Sequence, residues 1–381
     1  MDIYFDNSST TKPYKEVIDE VSNAMEEYFG NPSSLHKIGI KSEKRLTEAR
    51  EFLGKSINAS KEEIYFTSGG SEANNLIIKG LVKTGHHVIT TIFEHHSVLM
   101  AYKELEKNGV KVTYLEVDKD GKIDIEELGE AISKDTVLIS IMHVNNEIGS
   151  IQDIEAIGKI IKEKSSRARF HVDAVQSYGK LDIDVKKMNI DMLSVASHKI
   201  HGPKGIGFCY IKKGIVLNSL ISGGSQEGGV RGGTQNVPAI VGLHKAAEIT
   251  SNQKNESYNY VNSLKEYMIK RLEEIDNIRI NSPLRCDFTP YILNVSFIGV
   301  RAEVLLHLLE DRDIFVATGS ACTSKSSVVA GSYVIKALGL SNKEIESAIR
   351  FSFSKFNTKE EVDKVIEVLK SSLTFLRRVK K

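Results

Sequence analysis

At 381 residues, 27% of them charged and 41% hydrophobic, the chain is long enough for two domains with substantial cores and too apolar to be disordered. A formal net charge of +1 gives no footing for nucleic acid or an anionic membrane surface. The opening residues lack a basic stretch followed by an apolar core, and no run of about 18 apolar residues predicts a membrane span. Three widely spaced cysteines, Cys209, Cys286 and Cys322, provide neither a disulfide framework nor CxxC metal-ligand spacing, so the expectation is a reducing, cytoplasmic compartment and no resident metal.

In chain order, the first strand pattern covers 63–67 and is followed by a Gly/Ser turn and a helix through Ile77 and Ile78. A strand over 88–92 leads into a helix through Leu99 and Leu105, and further strands are predicted over 112–117, 137–144, 170–172, 192–195 and 207–211. Short apolar runs alternating with amphipathic helices predict an α/β domain with a parallel or mixed sheet covered on both faces. Ligands in such sheets bind at the carboxyl ends of the strands. A glycine-rich stretch over 223–233 reads as a long loop, and long loops are more often binding elements than connectors. Beyond about residue 245 the pattern changes to a long polar helix over 246–275, a strand over 291–297, and helices over 303–311 and 359–377. That is the pattern of a second, smaller α+β domain with its boundary near 250.

The chemistry-bearing residues sit where these strands end. Lys199, in Ser197-His198-Lys199, follows a strand at the mouth of the sheet, where desolvation and a nearby cation turn a lysine into a nucleophilic amine. Asp173 ends another strand; it can hold a protonated ring nitrogen or serve as an ordinary helix cap, and the sequence leaves both open. Ser68-Gly69-Gly70-Ser71 precedes a helix, so its backbone N–H groups suit a phosphate, although a plain turn has the same composition. It matches neither the dinucleotide nor the P-loop pattern, which argues against those ligands. Of His95 and His96, one imidazole can stack on a flat ring or shuttle a proton. Cys322 lies among small and polar residues in Gly319-Ser320-Ala321-Cys322-Thr323-Ser324, a loop composition that favours an exposed, reactive thiol. Cys286 is also in a polar setting, whereas Cys209 reads as a buried strand residue. Arg350 is placed at the opening of a strand in the second domain, where its fork suits a carboxylate.

Taken together these segments resemble the cysteine desulfurases, the nitrogen-fixation and iron–sulfur assembly group of class-V aminotransferase-like proteins. The most specific pieces are Met142-His143-Val144-Asn145-Asn146-Glu147-Ile148-Gly149, His171-Val172-Asp173-Ala174-Val175-Gln176-Ser177, Ser197-His198-Lys199, Arg231-Gly232-Gly233-Thr234 and the Cys322 segment, in the family's order and nearly end to end. The resemblance implies the pyridoxal phosphate-dependent aspartate-aminotransferase fold (type I), with a large mixed-sheet domain over 14–250 and a smaller α+β domain over 1–13 and 251–381. It implies a homodimer with pyridoxal 5'-phosphate at the interface. Lys199 would hold the cofactor, Asp173 its ring nitrogen and Gln176 its hydroxyl, while His95 would stack on the ring. Gly70, Ser71 and His198 would hold the phosphate, with Thr234 reaching across from the second subunit, and Ser197 and Asn146 would also contact the cofactor. Asn146 and Arg350 would fix the carboxylate of L-cysteine, and Cys322 would accept the sulfur as a persulfide, with a transient iron–sulfur ligand role also implied. The implied partner is a sulfur acceptor or scaffold in iron–sulfur assembly. A selenocysteine lyase-like activity and a catalytically impaired partner subunit are the alternatives.

Three departures stand out. Ala196 replaces a serine common in the family beside the phosphate, Gly228 stands where arginine is common, and the chain stops at Lys381, short of the tail that docks a scaffold in some members.

Overall fold

The computed structural model describes residues 2–319 and 331–379. A seven-stranded sheet runs in the order Ile64–Thr67, Gly207–Ile211, Met192–Ala196, Arg169–Asp173, Thr136–Met142, His87–Thr91, Lys111–Leu115. Gly207–Ile211 is antiparallel to both of its neighbours and every other pair is parallel, so the sheet is mixed. Thr136–Met142 and Met192–Ala196 are buried at every position, as strands covered on both faces must be.

The two-residue side-chain period divides these strands between two cores. Leu138, Met192 and Cys209 pack with the helices Gly70–Leu81 and His96–Lys107. Ile139, Leu193 and Phe208 face the other way, onto Lys37–Ser56, Ile154–Lys164 and the start of a long helix. The helices Lys15–Glu27 and Lys37–Ser56 are among the elements that escape the sequence pattern. The buried face of Lys37–Ser56 is Gly39, Ser42, Leu46, Ala49, Leu53 and Gly54, too rich in small residues to read as an apolar stripe.

The long helix begins at Val237, well before the expected 246, with Pro238 in its first turn and the Asn236 side chain accepting from the Ala239 N–H at 3.2 Å. Its first turns belong to the large-sheet core, and Val261, Leu264, Met268 and Leu272 belong to a second core. The change of core near residue 250 therefore falls inside one continuous helix. The second core also holds Phe5, Phe297, Phe351 and Leu369 around a four-stranded antiparallel sheet, Ala317–Thr318, Ala348–Ser352, Ile292–Phe297 and Ile278–Ile280. The amino-terminal Ile3–Tyr4 joins this side by pairing in parallel with Ile314–Phe315. Arg350 sits at the middle of its strand, opposite Asn294 and Ala317, and not at the opening.

The glycine-rich stretch is not a free loop. Glu227 is buried, paired with Arg50, and accepts from the Phe66 N–H at 2.7 Å and Gln235 Nε2 at 3.2 Å. Gly228 follows with φ +60°, a conformation that suits glycine better than the arginine common there. Among the described residues no helix is long and apolar enough to cross a membrane.

Candidate active site

A cavity of about 460 Å³ opens at the carboxyl ends of the parallel strands. Gly70, Ser71, His95, Asn146, Asp173, Gln176, His198, Lys199 and Arg350 all line it. They arrive from both halves of the molecule, most on turns that follow strands of the large sheet and Arg350 from the small one.

Lys199 closes a single helical turn, Ser197–Lys199, immediately after the strand Met192–Ala196. Its Nζ donates to the carbonyls of Ser8 and of Ser9, the latter at 2.8 Å. Burial, reinforced by the charges of Arg350 and Lys180, pushes its pKa down to about 7. At neutral pH a large share of the amine is therefore neutral and nucleophilic.

Asp173 caps a turn and also lines the cavity. Oδ1 accepts from the Val175 N–H at 3.0 Å, capping the turn, and Oδ2 accepts from Asn74 Nδ2 at 2.8 Å. Asn74 was not singled out in the sequence. It is a buried polar residue on the inner side of the helix Gly70–Leu81, and that misfit was the available signal. It also donates to Ser97 Oγ at 2.8 Å, and Ser97 Oγ lies 2.8 Å from His95 Nδ1. Because Nδ1 accepts from the Ser97 N–H as well, the neutral His95 ring carries its proton on Nε2. Burial lowers the pKa of His95 against the opposing charge of Asp173, with Lys199 adding to the lowering.

Arg350 is buried and its fork is already engaged. Nη1 donates to the Asn146 carbonyl at 2.8 Å, and Nη2 donates to Asp6 Oδ1 at 2.8 Å and Ser9 Oγ at 2.7 Å. Its Nε is buried and has no partner among the described residues. Asp6 and Ser9 thus belong to the site, although the sequence did not single them out. Tyr333 and Glu147 line the same end, also unforeseen.

Two further expected residues, Ser197 and Thr234, are not on this wall. Ser197 does not line the cavity: its hydroxyl is buried where a Cβ on Gly202 would come within 2.0 Å of it. Thr234 is exposed and is not part of the cavity wall of its own chain. Cys322 lies outside the described residues. Cys209 is fully buried, which drives its thiol pKa far up, and Cys286 is exposed.

Whether a phosphorylated pyridine fits can be tested on this wall. Gly69 has φ +153°, and Gly70 has room for no side chain, since an added Cβ would lie 2.6 Å from Val175 Cγ2. Together they bring the amino terminus of the helix Gly70–Leu81, with its unpaired N–H groups, to the cavity. Gln176 Nε2 donates to the Ser8 carbonyl at 2.9 Å, and among the described residues its buried Oε1 and Asn146 Oδ1 have no partner. His198, held near pKa 4 by burial and the lysines around it, is neutral and contributes a hydrogen bond more than a charge. Anion cradle, carboxylate, unpaired acceptor and neutral amine are what such a ring requires, so the residues fit the group.

These features are those of a type I pyridoxal phosphate protein, and sequence similarity identifies which. The sequence model of the class-V aminotransferases matches residues 3–365. A cysteine desulfurase IscS of Clostridium botulinum is 44% identical over 373 residues, covering 96% of this chain and 93% of that protein. Among solved structures, a NifS-like protein superposes with a TM-score of 0.92 at 38% identity, covering 98% of this chain and all of that one. The structure described as SspA in complex with cysteine has a TM-score of 0.82 at 36% identity, covering 93% of this chain and 100% of that one. The chain belongs to the class-V aminotransferase family, in its cysteine desulfurase branch, whose cofactor is pyridoxal phosphate.

Proposed function

We infer that this chain is a pyridoxal phosphate-dependent cysteine desulfurase that converts L-cysteine to L-alanine and takes the sulfur onto Cys322. The observation that carries the reading is the meeting of the near-neutral Lys199 amine, the Asp173 carboxylate and the Arg350 guanidinium in one cavity of this family's fold.

Lys199 holds the cofactor, Asp173 and Gln176 grip its ring, and the helix start at Gly70 and Ser71 with His198 receives its phosphate. When bound, the cofactor supplies an electron sink that loosens the α-proton and the carbon–sulfur bond of the substrate. The chain's own work is positional. Arg350 and Asn146 orient the substrate carboxylate, the Nε edge of Arg350 being the part not already engaged. The freed Lys199 amine takes the α-proton, and its lowered pKa suits it to that exchange near neutral pH. His95 stacks on the ring, its neutral state fixed by the Ser97 bonds. The Cys322 thiolate attacks the substrate sulfur. A sulfur–sulfur bond forms as the carbon–sulfur bond breaks and leaves its pair with the substrate β-carbon; one proton there, and the α-proton returned from Lys199, complete alanine.

A homodimer completes the reading, with Thr234 serving the second subunit's site, and its support is apolar surface. Met25, Phe29, Leu35, Ile38 and Ile40 are exposed together across the first two helices and their connection. The two cores are read as the expected large and small domains, joined through the long helix. The sulfur leaves for an acceptor or scaffold in iron–sulfur assembly, in the cytoplasm, a place consistent with a working thiol.

The test compares wild type with Cys322→Ala for alanine and sulfide formed from L-cysteine with dithiothreitol. Turnover by wild type and a yellow variant that makes no sulfide are expected. A variant of undiminished activity removes Cys322 as acceptor and leaves a lyase that expels sulfur directly. An inert wild type removes the desulfurase reading.

A further inference from the structure

Gly319 and Ser332, on either side of residues 320–330 in the sequence, meet at one side chain, that of Glu147. Glu147 is buried to 5% exposure at the Arg350 end of the cavity. Ser332 donates its hydroxyl to Glu147 Oε2, while the same oxygen atom of Ser332 accepts from the Ile335 N–H at 3.1 Å and caps the helix Tyr333–Ala337. Gly319 passes over the same carboxyl so closely that a Cβ there would lie 2.3 Å from Oε2 and 2.3 Å from the Ser332 Cβ. No side chain larger than hydrogen fits at 319 without displacing the carboxyl.

Glu147 is equally fixed from behind. Its N–H donates to Asn145 Oδ1 at 2.9 Å, and its carbonyl accepts from Asn294 Nδ2 at 3.3 Å. The preceding residue, Asn146, gives its carbonyl to Arg350. One short stretch of backbone therefore ties the carboxylate-binding arginine to the two points that flank residues 320–330. Burial raises the Glu147 carboxyl to about pKa 7, against the opposing influence of Ser332 and Arg350, so near neutral pH it can bond in either protonation state.

We propose that Glu147 is a positioning residue for sulfur transfer: its carboxyl holds Gly319 and Ser332 together and so sets where the chain bearing Cys322 departs from the wall that binds the substrate. This rests on Cys322 being the sulfur acceptor. Removing the carboxyl leaves Lys199 and the hydrogen bonds of Arg350 in place and loosens the junction of Gly319 and Ser332, and with it the registration of the acceptor thiol against the substrate. Binding then survives while transfer slows.

The experiment uses the holoenzyme of wild type, Glu147→Ala, Glu147→Gln and Cys322→Ala. Cofactor absorbance on titration with L-cysteine reads binding, the intact mass after a single turnover reads persulfide on the protein, and alanine formation gives kcat and KM. For Glu147→Ala the expected result is unchanged cofactor content, a cysteine titration within about threefold of wild type, and kcat and single-turnover persulfide reduced tenfold or more. Glu147→Gln keeps an acceptor for the Ser332 hydroxyl and recovers most of the kcat. A Glu147→Ala variant with kcat within twofold of wild type overturns the proposal. So does a loss carried by KM alone, or a Gln variant no better than Ala. If wild type is inert, or Cys322→Ala turns over fully, it is the desulfurase or acceptor reading that fails, and this proposal falls with it.

Discussion

Lysine amines in water are protonated to about pH 10.4, and Lys199 departs from that because folding strips its water and sets Arg350 and Lys180 nearby. Its folded pKa of about 7 lies below the unfolded one, so between the two values the folded protein holds a neutral amine where the unfolded chain holds a charged one. Neutral amine is the species that captures an aldehyde. Cofactor-free protein is therefore expected to load pyridoxal phosphate at a rate that rises with pH through about 7 and levels by about 8.5. The growth of cofactor absorbance at a series of pH values measures it. A rate still rising about tenfold per unit above pH 9 would mean an ordinary lysine. At this scale the sequence showed Lys199 and Asp173 because each ends a strand. It hid Asn74, whose bond to Asp173 joins residues far apart in the chain.

The helix Gly70–Leu81 is the element on which the cofactor site turns. Its amino terminus reaches the cavity only because Gly70 lies flat against Val175. A methyl group at 70 has to push Val175 or the helix aside, and overpacking of this kind costs about 1–3 kcal/mol. Gly70→Ala is expected to lower the urea midpoint of the cofactor-free protein accordingly and to weaken cofactor binding, since the displaced N–H groups no longer converge. Equilibrium unfolding and cofactor titration check the two effects, and a variant unchanged in both would show that this contact yields freely. The large-sheet strands were legible as short apolar runs, whereas Lys37–Ser56, packed through Gly39, Ser42 and Ala49, left no such trace.

On the scale of the whole molecule, the described surface carries apolar side chains that a single chain leaves in water. Leu35 is 94% and Phe29 71% exposed, beside Met25 and Ile40. A symmetric second copy covers such a face most economically, because one patch can then pair with itself. Sedimentation of wild type is expected at twice the chain mass, and the double variant Phe29→Asp, Leu35→Asp at the mass of one chain with activity lost. A monomeric wild type with full turnover would refute both the dimer and the role given to Thr234.

The sequence by itself determined the alternation of strand and helix, the strand ends that carry Lys199, Asp173 and His95, and the motifs that mark the family. All are local, since each depends on side-chain period or on neighbours within a few residues. Only the tertiary structure decided that Arg350 stands at mid-strand with its fork already bound to Asp6, that Asn74 braces Asp173, and that Glu147 lies between Gly319 and Ser332. Those arrangements join residues far apart in the chain, and burial sets both the partners of each polar group and its affinity for protons.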